Sequence, residues 1–420
     1  MSLKTVRPEA VDRIEPRINR RNFVKLASAA GAAALLPAPA WAEDPSTTVP
    51  AAAPALEMAK FPEKTDLILL TDRPPQLETP LKYFATDITP NEAFFVRWHL
   101  SGIPTSVDLA TFKLNIGGHV ESPLGLSMED LKQFEQVSVV AVNQCSGNSR
   151  SLFEPRVAGG QWQNGAMGNA RWTGVRLRDL LAKAKVKPGA VDVTFQGLDR
   201  PVLPATPVFI KSLAFDHAND GEVIVAYAMN EKPLPMLNGF PLRLIVPGWY
   251  ATYWVKSLSE INVLGEKFHN FWMDKAYRVP NNPEDEESPK DLAKETVPIS
   301  KMLVRSLFTS PEPGGTMQWL GTEDAPPNVE GIAFDGGSGI KKVEISLDGG
   351  VTWQEADLGP DLGKYSFRRW KHPWRTIHKG KHTLKVRATA NDGRTQRAEQ
   401  NWNRSGYARN MIETLEVTVV

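Results

Sequence analysis

Between residues 93 and 265 short apolar runs of strand composition recur at close spacing: AFFVRWHL, TFKLNIGG, VSVVAVNQ, VDVTFQGL, EVIVAYAM, PLRLIVPG and SEINVLG. β-Branched and aromatic residues dominate these runs, and turn-forming residues lie between them, which is the pattern of sheet rather than of helical bundle. Helical signals are fewer. Ser127 and Asp130 in SMEDLKQF have capping-box spacing, and RLRDLLAKAKV at 176–186 carries a helical pattern. Strands outnumber helices, so this stretch predicts an α+β domain. From about Val297 the chain turns to strands and tight turns alone, in GIAFDGGSGI, KKVEISLDGGVTW, KHTLKVRATANDGRT and MIETLEVTVV, with Asp348-Gly349-Gly350 as a hairpin signal. About 120 residues of that kind predict an all-β, immunoglobulin-like sandwich. Between the two regions PNNPEDEESPKD, starting at Pro280, reads as a solvated linker or surface loop.

The 49 Lys plus Arg nearly cancel the 48 Asp plus Glu, so net charge calls for neither nucleic acid nor an anionic membrane. The N-terminus has its own logic. Arg20 and Arg21 in NRRNFVKL precede the alanine-rich run ASAAGAAALL and then Ala40-Trp41-Ala42. A twin arginine, a short apolar segment and a small-x-small cleavage site in that order predict a twin-arginine export signal over 1–42 and a periplasmic mature protein. No later segment approaches the roughly 20 apolar residues of a membrane span. Residues 43–75, rich in Pro, Ala and Thr, read as an extended arm. The chain has one cysteine, Cys145, in NQCSGNSR behind the apolar run VSVVAV. No disulfide can form within the chain, which leaves Cys145 as a buried bystander, half of an intermolecular bridge, a nucleophile or a metal ligand. As a lone protein ligand it would need a partner that is not protein, and a soft thiolate beside a pterin dithiolene meets that need.

VNQCSGNSRS followed by GAMGNARWTGVRLRDLL resembles the molybdenum-cofactor domain of the sulfite oxidase family, in which the cysteine of a C-x-G-N motif ligates molybdenum beside two molybdopterin sulfurs. AFFVRWHL, the GLD of 197–199, NGFPLRLIVPG, WVKSL and DKAYRV follow in the family order, and the sandwich is similar to the family's dimerisation domain. The resemblance covers about residues 75–420. It implies Cys145 as the metal thiolate, Arg97 and Tyr277 in the substrate pocket, and His99, Phe95, Asn238, Arg243 and Lys256 around the pterin and its phosphate. Asp199, Ser212 and Arg150 match cofactor positions less closely. A second pocket arginine comes in the family from a Trp-Asn-x-Arg-Gly run. Here Trp402-Asn403-Arg404-Ser405-Gly406 places Arg404 one position early, where a shift on a strand would turn it to the opposite face.

The organisation expected is thus a signal over 1–42, an arm over 43–75, a molybdopterin-binding catalytic domain over 76–290 and a dimerisation domain over 291–420. The implied activity is oxidation of sulfite by a homodimer. With no C-x-x-C-H and no cytochrome b5-like region in the chain, no haem is expected and the electrons would pass to an external c-type cytochrome. Two other readings remain open at this point: an exported molybdopterin enzyme that reduces methionine sulfoxide, and a secreted, non-enzymatic binding protein built on the sandwich.

Overall fold

A computed structural model describes residues 58–59, 61–318, 326–374 and 378–420. The predicted export signal and the arm up to residue 57 lie outside the described residues. Among these residues no helix is long and apolar enough to cross a membrane.

Two five-stranded sheets carry the first domain. One has the order Ile210–Ala214, Asp192–Gly197, Leu258–Leu264, Leu114–Gly118 and Leu124–Leu126, with a single parallel pair between Leu258–Leu264 and Leu114–Gly118. In the other, Lys232–Pro233, Ile224–Met229, Met167–Arg176 and Gln136–Gln144 run side by side, and Arg243–Ile245 pairs with Ile224–Met229. Ser127 caps the short helix Met128–Leu131 in the predicted capping box, and Leu177–Ala184 is the longest of the described helices, its Leu177, Leu180 and Leu181 turned into the core.

Strand Gln136–Gln144 decides where the cysteine goes. Its first four residues alternate between exposed and half-buried, and its last five are buried without a break. The strand therefore starts at the surface and ends deep inside, delivering Cys145 to the interior. Trp172 packs beneath it, donating its indole N–H to the Ala141 carbonyl at 3.1 Å and meeting Phe94 and Trp254 edge-on.

The C-terminal region is a sandwich of a four-stranded and a five-stranded sheet around Phe308, Val343, Trp370, Leu384 and Leu415, as the strand spacing predicted. It is not hung on a loose tether. Leu307, Ile332, Phe334 and Ala408 belong to the same apolar core as the first domain. A buried charge cluster adds a polar clamp: the Glu413 carboxylate receives Arg305 at 2.5 Å and Arg409 at 2.7 Å, and Arg305 reaches on to Ser149 Oγ at 2.7 Å. Ser149 sits in the Cys145 loop with φ +69°, a left-handed conformation that a non-glycine residue adopts only when its surroundings hold it. The sandwich thereby fixes the shape of the cysteine loop.

Two expectations change here. Leu67–Asp72, within the stretch read as an arm, is a strand, and with Pro75–Glu78 it joins Val96–Arg97 in a four-stranded sheet. The acidic linker is also partly internal: Glu287 is 8% exposed, and Glu286 pairs with Arg397. From the first of these sheets Glu78 accepts the backbone N–H groups of Gln163 and Gly165 at 2.9 and 2.7 Å, bracing the turn behind Cys145. Burial pushes its carboxyl up from 4.5 to about 7, against those two hydrogen bonds. The folded state then holds a proton that the unfolded chain has lost, so this stability is complete below 4.5 and disappears as pH rises through about 7. Glu78→Gln, which cannot ionise, is expected to gain stability relative to the parent between about pH 5 and 8 in urea unfolding. A constant difference across that range would mean that the carboxylate is charged throughout.

Candidate active site

Cys145 leaves its strand with its backbone N–H on the Ala166 carbonyl at 2.9 Å, and Asn148 ties the loop back by accepting Ala166 N–H at 2.9 Å and donating to Asn164 O at 3.2 Å. Gly147 lets the Arg150 guanidinium pack against the loop, since a Cβ there would lie 2.5 Å from it and would push that side chain aside. The C-x-G-N motif is therefore a rigid loop whose parts serve one another. Its cysteine stands on a wall shared by two cavities, with Arg97 and Tyr277 beside it on both.

The first cavity is lined by Phe95, Arg97, His99, Ser146, Asn238, Arg243, Thr252 and Lys256, among others, and by no carboxylate. Burial pushes Lys256 down from 10.5 to about 7, with the Arg243 cation adding to the effect and Asp199 opposing it. Burial likewise lowers the Arg243 guanidinium to about 9. Arg97 Nη1, Arg243 Nε, Ser146 Oγ and Thr252 Oγ1 are buried with no hydrogen-bond partner among the described residues. Enclosed cations and unpaired donors without an acid are costly unless an anion joins them. The donor set fits a phosphate-bearing pterin. Cys145 offers the soft sulfur, and among the described residues no group of three His, Cys, Asp or Glu could hold a metal, so further metal ligands must come with the bound group.

The second cavity adds Gln76, Arg150, Gly159, Gly160, Trp162, Ser405 and Tyr407. Arg150 donates to Ser405 O and Gly160 O, both at 3.1 Å, and lies 5.1 Å from the Tyr407 ring centroid. Tyr277 has φ +57° and stacks parallel on Tyr407 at 5.6 Å. Its hydroxyl meets His99 Nε2 at 2.5 Å, and the imidazole is itself stacked on Phe209 at 3.7 Å. Burial, with Arg97 adding, holds His99 well below 6.5, so its ring is neutral. It is placed to orient Tyr277. Burial pushes the Tyr277 phenol up, so it keeps its proton at neutral pH.

Of the residues singled out from the sequence, Phe95, Arg97, His99, Cys145, Asn238, Arg243, Lys256 and Tyr277 converge on the first cavity. Arg150 is on the wall of the second. Asp199 lies behind the first wall, where it faces Lys256 as a countercharge. Ser212 is on neither wall; its hydroxyl reaches Asp192 at 3.4 Å. Its neighbour Lys211, which the sequence reading passed over, faces the other way along the strand, 5.3 Å from the Tyr277 ring, and donates to Trp272 O at 2.7 Å. Arg404 is not in the pocket. Its guanidinium is held outward by Glu287 at 2.5 and 2.8 Å and by Ala293 O at 2.8 Å, leaving Ser405 and Tyr407 at the wall. Arg404→Gln is accordingly expected to leave the KM for an anionic substrate within about twofold, while lowering stability by about 1 kcal/mol through the lost Glu287 contacts. A steep rise in KM would return Arg404 to the pocket.

Residues 100–272 match the oxidoreductase molybdopterin binding domain, and residues 296–419 match the Mo-co oxidoreductase dimerisation domain. The sulfite oxidase of Arabidopsis thaliana is 31% identical over 289 residues, which is 66% of this chain and 72% of the plant protein. The chain belongs to the sulfite oxidase family of molybdopterin enzymes. Mitochondrial sulfite oxidase of Rattus norvegicus, a further member, is 34% identical over 329 residues, 76% of this chain and 56% of the rat protein. This family member thus spans little more than half the length of that relative. The crystal structure of the sulfane dehydrogenase SoxCD from Paracoccus pantotrophus has the same fold, with a TM-score of 0.71, 24% identity, and coverage of 90% of this chain and 94% of that one.

Proposed function

We propose that this protein oxidises sulfite to sulfate at a molybdenum–molybdopterin group held in the first cavity, with substrate entering the second. The observation that carries this reading is the position of Cys145, on the one wall common to a cation-lined pocket without acids and a pocket bearing two arginines. Relatives named sulfite oxidase support it.

Arg243 and Lys256 would hold the phosphate end of the group, Asn238 and Phe95 its flank, and Cys145 the metal. Once bound, that group supplies the oxo transfer to sulfur and accepts the two electrons. The chain does the rest. Arg97 and Arg150 carry the planar donors that bind oxyanions through paired hydrogen bonds, and together they offset the charge of sulfite. The Tyr277 phenol, steered by His99, keeps its proton and can donate it to an oxygen of bound anion. Phe209 and Trp272 shield His99, keeping water away from the pair.

Sulfite plus water gives sulfate, two protons and two electrons. We assign the acceptor to an external c-type cytochrome, one electron at a time, with no haem in this chain. We assign the enzyme to the periplasm on the twin-arginine pattern of residues 1–42, and the dimerisation-domain match supports a homodimer. Steady-state assays with sulfite and either mitochondrial cytochrome c or ferricyanide test both halves. Reduction of both acceptors is expected. Reduction of ferricyanide alone would remove the cytochrome, and activity only towards methionine sulfoxide would replace sulfite oxidation with sulfoxide reduction.

A further inference from the structure

The outward turn of Arg404 leaves an anion pocket whose corner is filled by an aromatic ring, and that ring touches Arg150 and Tyr277, two of the three groups that would meet the substrate. Tyr407 lies parallel to Tyr277, with 1° between the rings and 5.6 Å between centroids, and beneath Arg150 at 5.1 Å. Its backbone is fixed on both sides by one buried side chain: Asn403 Oδ1 accepts Tyr407 N–H at 3.1 Å, and Asn403 Nδ2 donates to Tyr407 O at 2.9 Å. Gly406, at φ +59°, lets this segment close on Arg150, because a Cβ there would lie 2.8 Å from Arg150 Cγ and 2.4 Å from Val157. The backbone that carries the ring is therefore held by Asn403, and the ring itself meets Arg150 and Tyr277.

We propose that Tyr407 is a positioning residue that completes the anion pocket where an arginine would otherwise stand, its ring face holding the Arg150 guanidinium and the Tyr277 ring as one unit. The inference rests on the reading of the second cavity as the site of the substrate oxyanion. Sulfite and sulfate would then be bound by Arg97 and Arg150, with Tyr407 setting the place of the second cation rather than touching the reacting atoms.

A ring-face role makes Tyr407→Phe and Tyr407→Leu behave differently. Loss of one aromatic stack and one cation–π contact corresponds to about a tenfold change in affinity. In the molybdenum-loaded protein, Tyr407→Leu is expected to raise the KM for sulfite and the Kd for sulfate, measured calorimetrically, each by about tenfold, with kcat within about threefold. Tyr407→Phe is expected to restore both to within about twofold of the parent. The inference is overturned if Tyr407→Leu leaves the sulfate Kd unchanged, if the phenylalanine variant loses as much as the leucine variant, or if the parent binds no sulfate. A parent that binds sulfate but oxidises no sulfite would overturn the proposed reaction, while the ring dependence of sulfate binding would still decide the role of Tyr407.

Discussion

Cys145→Ser is expected to abolish sulfite oxidation, lowering kcat by on the order of a thousandfold or more, in a protein that still folds. The thiol is the single soft donor on the wall between the cavities, and a serine hydroxyl is a hard donor that stays protonated at neutral pH. Among the described residues no alternative cluster could take over the metal. The fold should survive because the loop is secured by the backbone N–H of residue 145 on Ala166, by Asn148 and by Arg305 on Ser149, none of which uses the sulfur. Thermal unfolding alongside the sulfite assay separates the two effects. A folded serine variant with more than about a tenth of parental turnover would sink the ligand assignment.

Arg97→Gln should raise the KM for sulfite by about 10- to 100-fold, since hydrogen bonds to a charged group are worth about 1.5–3 kcal/mol. Arg97 lines both cavities, and its Nη1 is buried without a partner among the described residues, so its binding capacity is not already used by the protein. The amide is close in size but neutral and not forked. kcat should move less than KM, because the contact exists with bound substrate as well as at the transition state. An unchanged KM would assign the anion to Arg150 alone.

What could be read from the sequence divides along physical lines. The strand runs, the sandwich and the Cys145 loop were legible because each is encoded within a few adjacent residues. The cations of the first cavity, Arg243 and Lys256, were legible through the motifs that carry them. Arg404 misled for a reason that only the fold supplies: Glu287, in a stretch whose acidic, proline-rich composition marked it as solvated, is brought back to capture the guanidinium. Ser212 lies on neither cavity wall, since neighbours on a strand face opposite ways and Lys211 is the one that meets Tyr277. The strands from Leu67 were hidden inside a stretch read as an arm, although LILL within Leu67–Asp72 carried the apolar signal. Tyr407 had no local signature at all. Its partners, Arg150 and Tyr277, are far away in the chain, and stacking across that separation is a property of the folded molecule.

The most direct test of the account is an anaerobic titration of purified protein with sulfite, following an artificial electron acceptor and sulfate together, on molybdenum-replete and molybdenum-depleted preparations. The account predicts one sulfate for every two electrons in the replete sample and neither product in the depleted one. Reduction that continues without molybdenum, or a replete sample inert to sulfite, would contradict it.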